Sequence, residues 1–143
     1  MISITQEPID ISKILVSSED SSAGATVLFI GSVRDHNDSK KVSEIYYEAY
    51  EKMAENTLLE IEDQVSKKWR VKKFVAIHRI GNLKVNEISV AIAISTEHRQ
   101  DAFEACRYTI ESIKTKTPIW KKEISSDSGT ATWKDGVLPS VKK

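Results

Sequence analysis

The sequence predicts an α+β fold with a mostly antiparallel sheet. Two long stretches, 50–69 and 97–114, carry apolar residues at the three- and four-residue spacing of amphipathic helices. Shorter stretches carry alternating or continuous apolar patterns of strand length. The strands come in pairs separated by helices, in the order α-β-β-α-β-β-α-β-β, which favours antiparallel neighbours.

Residues 8–16 read as a short helix with Asp10 as N-cap and Ile11, Ile14 and Leu15 on one face. A Ser-rich connection over 17–22 leads into a strand over 24–33. Its Val27 and Phe29 point one way and Leu28 and Ile30 the other, so both faces should be covered. Residues 35–40 (DHNDSK) read as a turn-rich loop. The strand over 42–49 puts Ile45, Tyr47 and Ala49 on one side, with Glu44, Tyr46 and Glu48 opposite.

The helix over 50–69 offers Met53, Ala54, Thr57, Leu58, Ile61, Val65 and Trp69 as its core face. Residues 71–80 read as a strand and Gly81-Asn82 as a turn. The segment 87–95 alternates Ile88, Val90, Ile92 and Ile94 with Ser89, Ala91, Ala93 and Ser95. Its small residues leave room for a helix to approach closely, or for a partner. The helix over 97–114 buries Ala102, Phe103, Cys106, Ile110 and Ile113, and Pro118 stops it. Residues 119–124 and 130–133 form a terminal hairpin around Ser126-Asp127-Ser128-Gly129. A short loose tail is expected over 136–143.

A chain of 143 residues suits one domain over 1–143. Lys+Arg and Asp+Glu number 21 each, so a general polyanion binder is disfavoured and any anion site must come from local clustering. No apolar run is long enough to span a bilayer, and the first residues lack the pattern of a secretory leader. The single cysteine, Cys106, permits no intrachain disulfide and no cysteine-based metal site. A reducing, cytoplasmic setting is the simplest expectation.

Cationic and ionisable residues gather at four boundaries: Gly31-Ser32-Val33-Arg34-Asp35-His36-Asn37, His78-Arg79, His98-Arg99, and the segment from Lys114 to Glu123. His98 and Arg99 begin a helix, where free backbone N–H groups favour an anion. Lys114 and Lys121 flank a proline turn that can bring two ammonium groups to one cleft. Each then lowers the other's pKa and burial adds to the effect, which suits acid–base work near neutral pH. Arg34 stays charged and suits bidentate phosphate binding. A small-anion pocket of Arg34, His98, Arg99, Lys114 and Lys121 is therefore expected. His78 reads as a satisfied core histidine and Cys106 as packing. No metal site is expected, because the three histidines lack zinc-ligand spacing. There is also no P-loop and no dinucleotide fingerprint.

Five separated segments resemble one family in order. They are 24–37 with Phe29-Ile30-Gly31-Ser32-Val33-Arg34-Asp35-His36-Asn37; Tyr47-Glu48-Ala49-Tyr50-Glu51-Lys52-Met53-Ala54; Ile77-His78-Arg79-Ile80-Gly81; Glu97-His98-Arg99 with Ala102-Phe103-Glu104-Ala105; and Lys114 followed by Pro118-Ile119-Trp120-Lys121-Lys122-Glu123. Together they resemble the large, catalytic subunit of molybdopterin synthase, the MoaE family. The resemblance implies a hammerhead-like α/β fold with an added antiparallel β subdomain. It implies transfer of sulfur from the C-terminal Gly-Gly thiocarboxylate of a small ubiquitin-like subunit of MoaD type. The acceptor is cyclic pyranopterin monophosphate, which becomes the dithiolene of molybdopterin in molybdenum cofactor biosynthesis. No resident cofactor is implied.

By motif position, Lys121 matches the essential catalytic lysine and Lys114 the lysine beside the donor's terminal carbonyl. Ser32, Val33 and Arg34 match one substrate-binding stretch and His98 and Arg99 a second, while Lys122 and Glu123 extend the Lys121 segment. A homodimer of large subunits within a heterotetramer is also implied. Many relatives have Gly where this chain has Asn86, which tolerates the same turn. The competing reading is a noncatalytic phosphate- or nucleotide-binding module that uses the same basic cleft.

Overall fold

The computed structural model describes residues 1–134, so the tail expected over 136–143 lies outside the described residues. Two sheets share the work of the core. The first has the order β1-β5-β7-β2, with β1 (Ile2–Thr5), β2 (Ala25–Ser32), β5 (Lys73–Arg79) and β7 (Ile88–Thr96). The second has the order β3-β4-β8-β9, with β3 (His36–Asn37), β4 (Lys40–Ala49), β8 (Ile119–Ser125) and β9 (Ala131–Lys134). β6 (Gly81–Lys84) lies on the other edge of β4. Every pairing is antiparallel except β1 with β5. The α+β class and the antiparallel subdomain are as expected.

Helices α2 (Glu51–Trp69) and α3 (Arg99–Lys116) cover one face of the first sheet. Leu58, Ile61 and Val65 of α2 and Ala105, Cys106 and Ile113 of α3 meet Phe74, Val90, Ile92 and Ile94. The short α1 (Ile11–Ser17) covers the opposite face, setting Ile14 against Val75, Ala91 and Ala93. The small residues of β7 thus admit a helix, and β7 is buried on both faces. Asp10 caps α1 by accepting from the Lys13 N–H at 3.3 Å. Tyr50 is the N-cap of α2, and Arg70, in the left-handed region at φ 49°, ends that helix. Pro118 forces Thr117 into an extended conformation, which ends α3.

Four expectations change. β1 was not foreseen. It is a four-residue edge strand whose partner lies more than seventy positions away. Residues 35–40 are a tight hairpin rather than a loop, with Asp38 and Ser39 at φ 49° and 66°. Gly81-Asn82 is not a turn: Gly81, at φ 94°, lets the chain leave β5 and pair at once with β4, opposite Tyr47. The turn lies further on, where Asn86 adopts φ 75°. Leu15, Met53 and Phe103 do not join the core; Phe103 is 61% exposed because Ala102, Ala105 and Cys106 already fill that side of α3.

Candidate active site

The site forms where the end of β2 meets the inner face of the second sheet. A cavity of about 150 Å³ is lined by Ser32, Arg34, Tyr47, Lys114, Lys121 and Glu123, with Gly31, His36 and Ser89 also in its wall. Close approach of backbone makes its floor. A Cβ on Gly31 would stand 2.6 Å from Val90 Cγ1, and the β2–β7 register shifts between Gly31 and Ser32. Val33 then locks the chain: its N–H donates to Glu87 O at 3.0 Å and its carbonyl accepts from the Asn86 N–H at 2.9 Å. This anchoring delivers Ser32 and Arg34 to the cavity.

Lys114 and Lys121 arrive by a different route. Lys114 sits in the last turn of α3, where the helix dipole favours a cation. The chain reverses at Thr117-Pro118, and Tyr50 N–H donates to Pro118 O at 3.2 Å. β8 then pairs Lys121 with Tyr47 of β4. Strand alternation puts Lys121 and Glu123 on the inner face and Lys122 on the outer one. Glu123 is buried; it accepts from Asn37 Nδ2 at 2.9 and 3.1 Å and pairs with Lys134 at 3.3 Å. The β3 hairpin thereby ties itself to the cavity wall.

A second cavity of about 70 Å³ lies beside the first and shares Tyr47, Lys114 and Lys121 with it. His78 forms part of its wall. Burial lowers the His78 pKa to about 4, with help from the Lys114 and Lys121 charges, so the ring is neutral. Lys114 exposes much of its side chain. Even so, desolvation by the wall, together with the Lys121 charge, lowers its pKa from the ordinary lysine value. Burial raises the Tyr47 phenol. Burial also pushes the Cys106 thiol up to about 11, so this sulfur is inert packing in the core.

The structure therefore brings together Ser32, Arg34, Lys114, Lys121 and Glu123. Four expected members stand elsewhere. Val33 is buried with Val42, Ile45, Ile80 and Leu83 and serves through its backbone. Lys122 faces outward, 5.3 Å from the Tyr46 ring centre and 5.1 Å from that of Trp133. His98 and Arg99 begin α3, the helix whose last turn holds Lys114, so about 22 Å of helix separates them from it. The expected five-residue pocket is thus corrected to Arg34, Lys114 and Lys121 within one chain. Tyr47 and Ser89 were missed as cavity residues because alternation marks their strands but not which strand ends meet.

Three cations around a small cavity with hydroxyl groups suit a phosphate-bearing small molecule. Lys114, its pKa lowered, stands beside a second lysine, and amines so placed can transfer protons. Among the described residues, no group of three or more His, Cys, Asp or Glu could hold a metal ion. No described helix is long and apolar enough to cross a membrane.

Fold and cavity define a small α+β protein with a cation-lined cavity at the seam of its two sheets. The family model described as MoaE protein matches residues 4–116. The chain belongs to the MoaE family. It is 39% identical over 132 residues to the molybdopterin synthase catalytic subunit of Thermoplasma volcanium, covering 92% of this chain and 96% of that one. It resembles the crystal structure of molybdopterin synthase from Staphylococcus aureus with a TM-score of 0.86 and 40% identity, covering 92% of this chain and 95% of that one. A complex of subunits 1 and 2 of molybdopterin-converting factor from Helicobacter pylori contains a chain of the same fold. Its TM-score is 0.75 at 20% identity, covering 92% of this chain and 88% of that one.

Proposed function

We propose that the chain is the catalytic subunit of a molybdopterin synthase. In this reading it transfers sulfur from the C-terminal thiocarboxylate of a small ubiquitin-like subunit to cyclic pyranopterin monophosphate, in the cytoplasm. The observation that carries the reading is the placement of Arg34, Lys114 and Lys121 around one cavity in a member of this family.

Arg34 holds the substrate phosphate. Lys114 lies beside the donor's terminal carbonyl and polarises it. The thiocarboxylate sulfur attacks a pterin side-chain carbon, forming a C–S bond while the leaving oxygen takes a proton from Lys121. The sulfur now links donor acyl group and substrate as a thioester. Water attacks the acyl carbon, freeing a carboxylate on the donor and a thiol on the substrate. A second loaded donor repeats the step to complete the dithiolene. No cysteine of the chain takes part, in keeping with the buried, unreactive Cys106.

His98 and Arg99 do not reach this cavity within one chain. In the homodimer that the family implies, they serve the site of the second copy. The solved complex from Helicobacter pylori supports a small-subunit partner as a further element of the reading.

The test mixes this protein with a thiocarboxylated Gly-Gly small subunit and cyclic pyranopterin monophosphate and looks for dithiolene. Product that vanishes in Lys121→Ala supports the reading. Absence of product with a folded wild type that binds the small subunit overturns it, in favour of a phosphate-binding module.

A further inference from the structure

His78 is a buried ionisable group to which the sulfur-transfer reading gives no part. It is 6% exposed, in β5, between Ile4 of β1 and Val90 of β7. Its Nδ1 stands 2.8 Å from the Arg79 carbonyl oxygen. A carbonyl only accepts, so Nδ1 carries the ring proton. The ring is neutral, as its low pKa shows, and Nε2 is therefore a bare acceptor. Among the described residues, the contact with Arg79 is the hydrogen bond that the ring makes.

The surroundings restrict what that acceptor can meet. Tyr47 of β4 meets the ring edge-on, with centres 5.1 Å apart and planes at 70°. Lys114 of α3 and Lys121 of β8 share the 70 Å³ cavity with it. Ile4 and Val90 bring no charge. Arg79 turns away, donating from Nε to Gln6 O at 3.2 Å and pairing with Glu87 at 3.5 Å. Of the carboxylates, Glu123 lines the other cavity and is engaged by Asn37 and Lys134, and Glu48 accepts from Nε1 of Trp120, a wall residue, at 3.2 Å. The small cavity therefore combines two amine groups with a neutral nitrogen acceptor. A carboxylate there would raise the Lys114 pKa strongly; a neutral imidazole can aim the ammonium with only a small rise.

We propose that His78 is a positioning residue whose Nε2 accepts a hydrogen bond from the Lys114 amine, directly or through one water, and so aims that amine where both cavities share it. The proposal rests on the reading of Lys114 as the group that acts on the donor's carbonyl.

The experiment compares full-length His78→Phe, which keeps a ring and loses the acceptor, with His78→Gln, which restores an acceptor. His78→Leu replaces the phenylalanine variant if that one does not fold. One readout is acylation of Lys114 across pH, followed by peptide mass spectrometry. The other is kcat and KM with the loaded small subunit. In His78→Phe the Lys114 midpoint is expected to fall by about half a unit, since the ammonium loses its acceptor. Its kcat should fall about ten-fold with KM little changed. His78→Gln should keep both near wild type. An unmoved Lys114 midpoint in His78→Phe, a glutamine variant as impaired as the phenylalanine one, or a moved midpoint with unchanged kcat overturns the proposal. If wild type transfers no sulfur, the functional reading fails while the acylation curve still decides the contact.

Discussion

Lys114, in the last turn of α3, and Lys121, on β8, wall the same two cavities. The proline turn between them converts a short separation in sequence into a shared site. Extended backbone at Thr117 swings the chain out of the helix, and pairing of Lys121 with Tyr47 fixes where β8 lands. The two ammonium groups repel, and this contributes to the lowered pKa of Lys114.

Lys121→Ala should lower the sulfur-transfer rate by about 10²–10⁴-fold, the usual span for a lost general acid–base group. Lys121→Arg should fail as badly, because guanidinium does not release its proton. Lys122→Ala is the internal control. Lys122 lies on the outer face between Tyr46 and Trp133, so its loss should leave the rate within about two-fold and cost about 0.5–1 kcal/mol of stability. Steady-state rates and urea melts of the three variants check this.

The mutual effect of the lysines gives a signed prediction. The Lys121 charge lowers the Lys114 pKa, so Lys121→Ala should raise it. Acylation of Lys114 should then need higher pH in Lys121→Ala than in wild type. A midpoint that falls or stays put would show that burial alone sets the shift.

These relations mark what was legible in the sequence. The long helices, the alternating β7 and the Pro118 stop follow from local periodicity and backbone geometry, and the structure keeps them. The grouping of Lys114 with Lys121 is also local, one turn apart. β1 was hidden because four residues with a distant parallel partner carry almost no periodic signal. Gly81-Asn82 misled because glycine at positive φ serves a sharp strand-to-strand passage as readily as a turn. A helix start attracts anions wherever it lies, and only the length of α3 shows how far His98-Arg99 stand from Lys114 of the same chain.

His78 should shape acid stability. Its pKa is about 4 in the folded chain against an ordinary 6.5, so the unfolded chain binds more protons between these values. Stability is therefore full above about pH 6.5 and falls as pH drops towards 4, by about 3 kcal/mol from this group. Unfolding free energies measured by urea across pH 4–7 should show that slope, and His78→Gln should flatten it.

Gly31→Ala tests the cavity floor. The added Cβ would stand 2.6 Å from Val90 Cγ1, so β2 and β7 must part or Val90 must move. The expected cost is about 1–3 kcal/mol, as for other overpacked sites. Because Ser32 and Arg34 follow directly, activity should fall more than the loss of folded protein explains. Denaturation and rate measurements on the folded fraction separate the two effects.

The separation of His98 and Arg99 from Lys114 leads to a complementation test. Arg99→Ala and Lys121→Ala homodimers should each be inactive if both residues serve one substrate. In a mixed dimer, one site combines Lys121 of the first chain with Arg99 of the second and is intact, while the other site lacks both. Random mixing makes half of the dimers mixed, so about a quarter of all sites should recover. Dissociating and reassociating the two variants together, then measuring dithiolene formation, checks this. Recovery well above the sum of the separate variants places His98-Arg99 in the neighbouring chain's site. No recovery, with mixed dimers verified by mass, removes them from the substrate's phosphate and leaves Arg34, Lys114 and Lys121 as its cationic contacts.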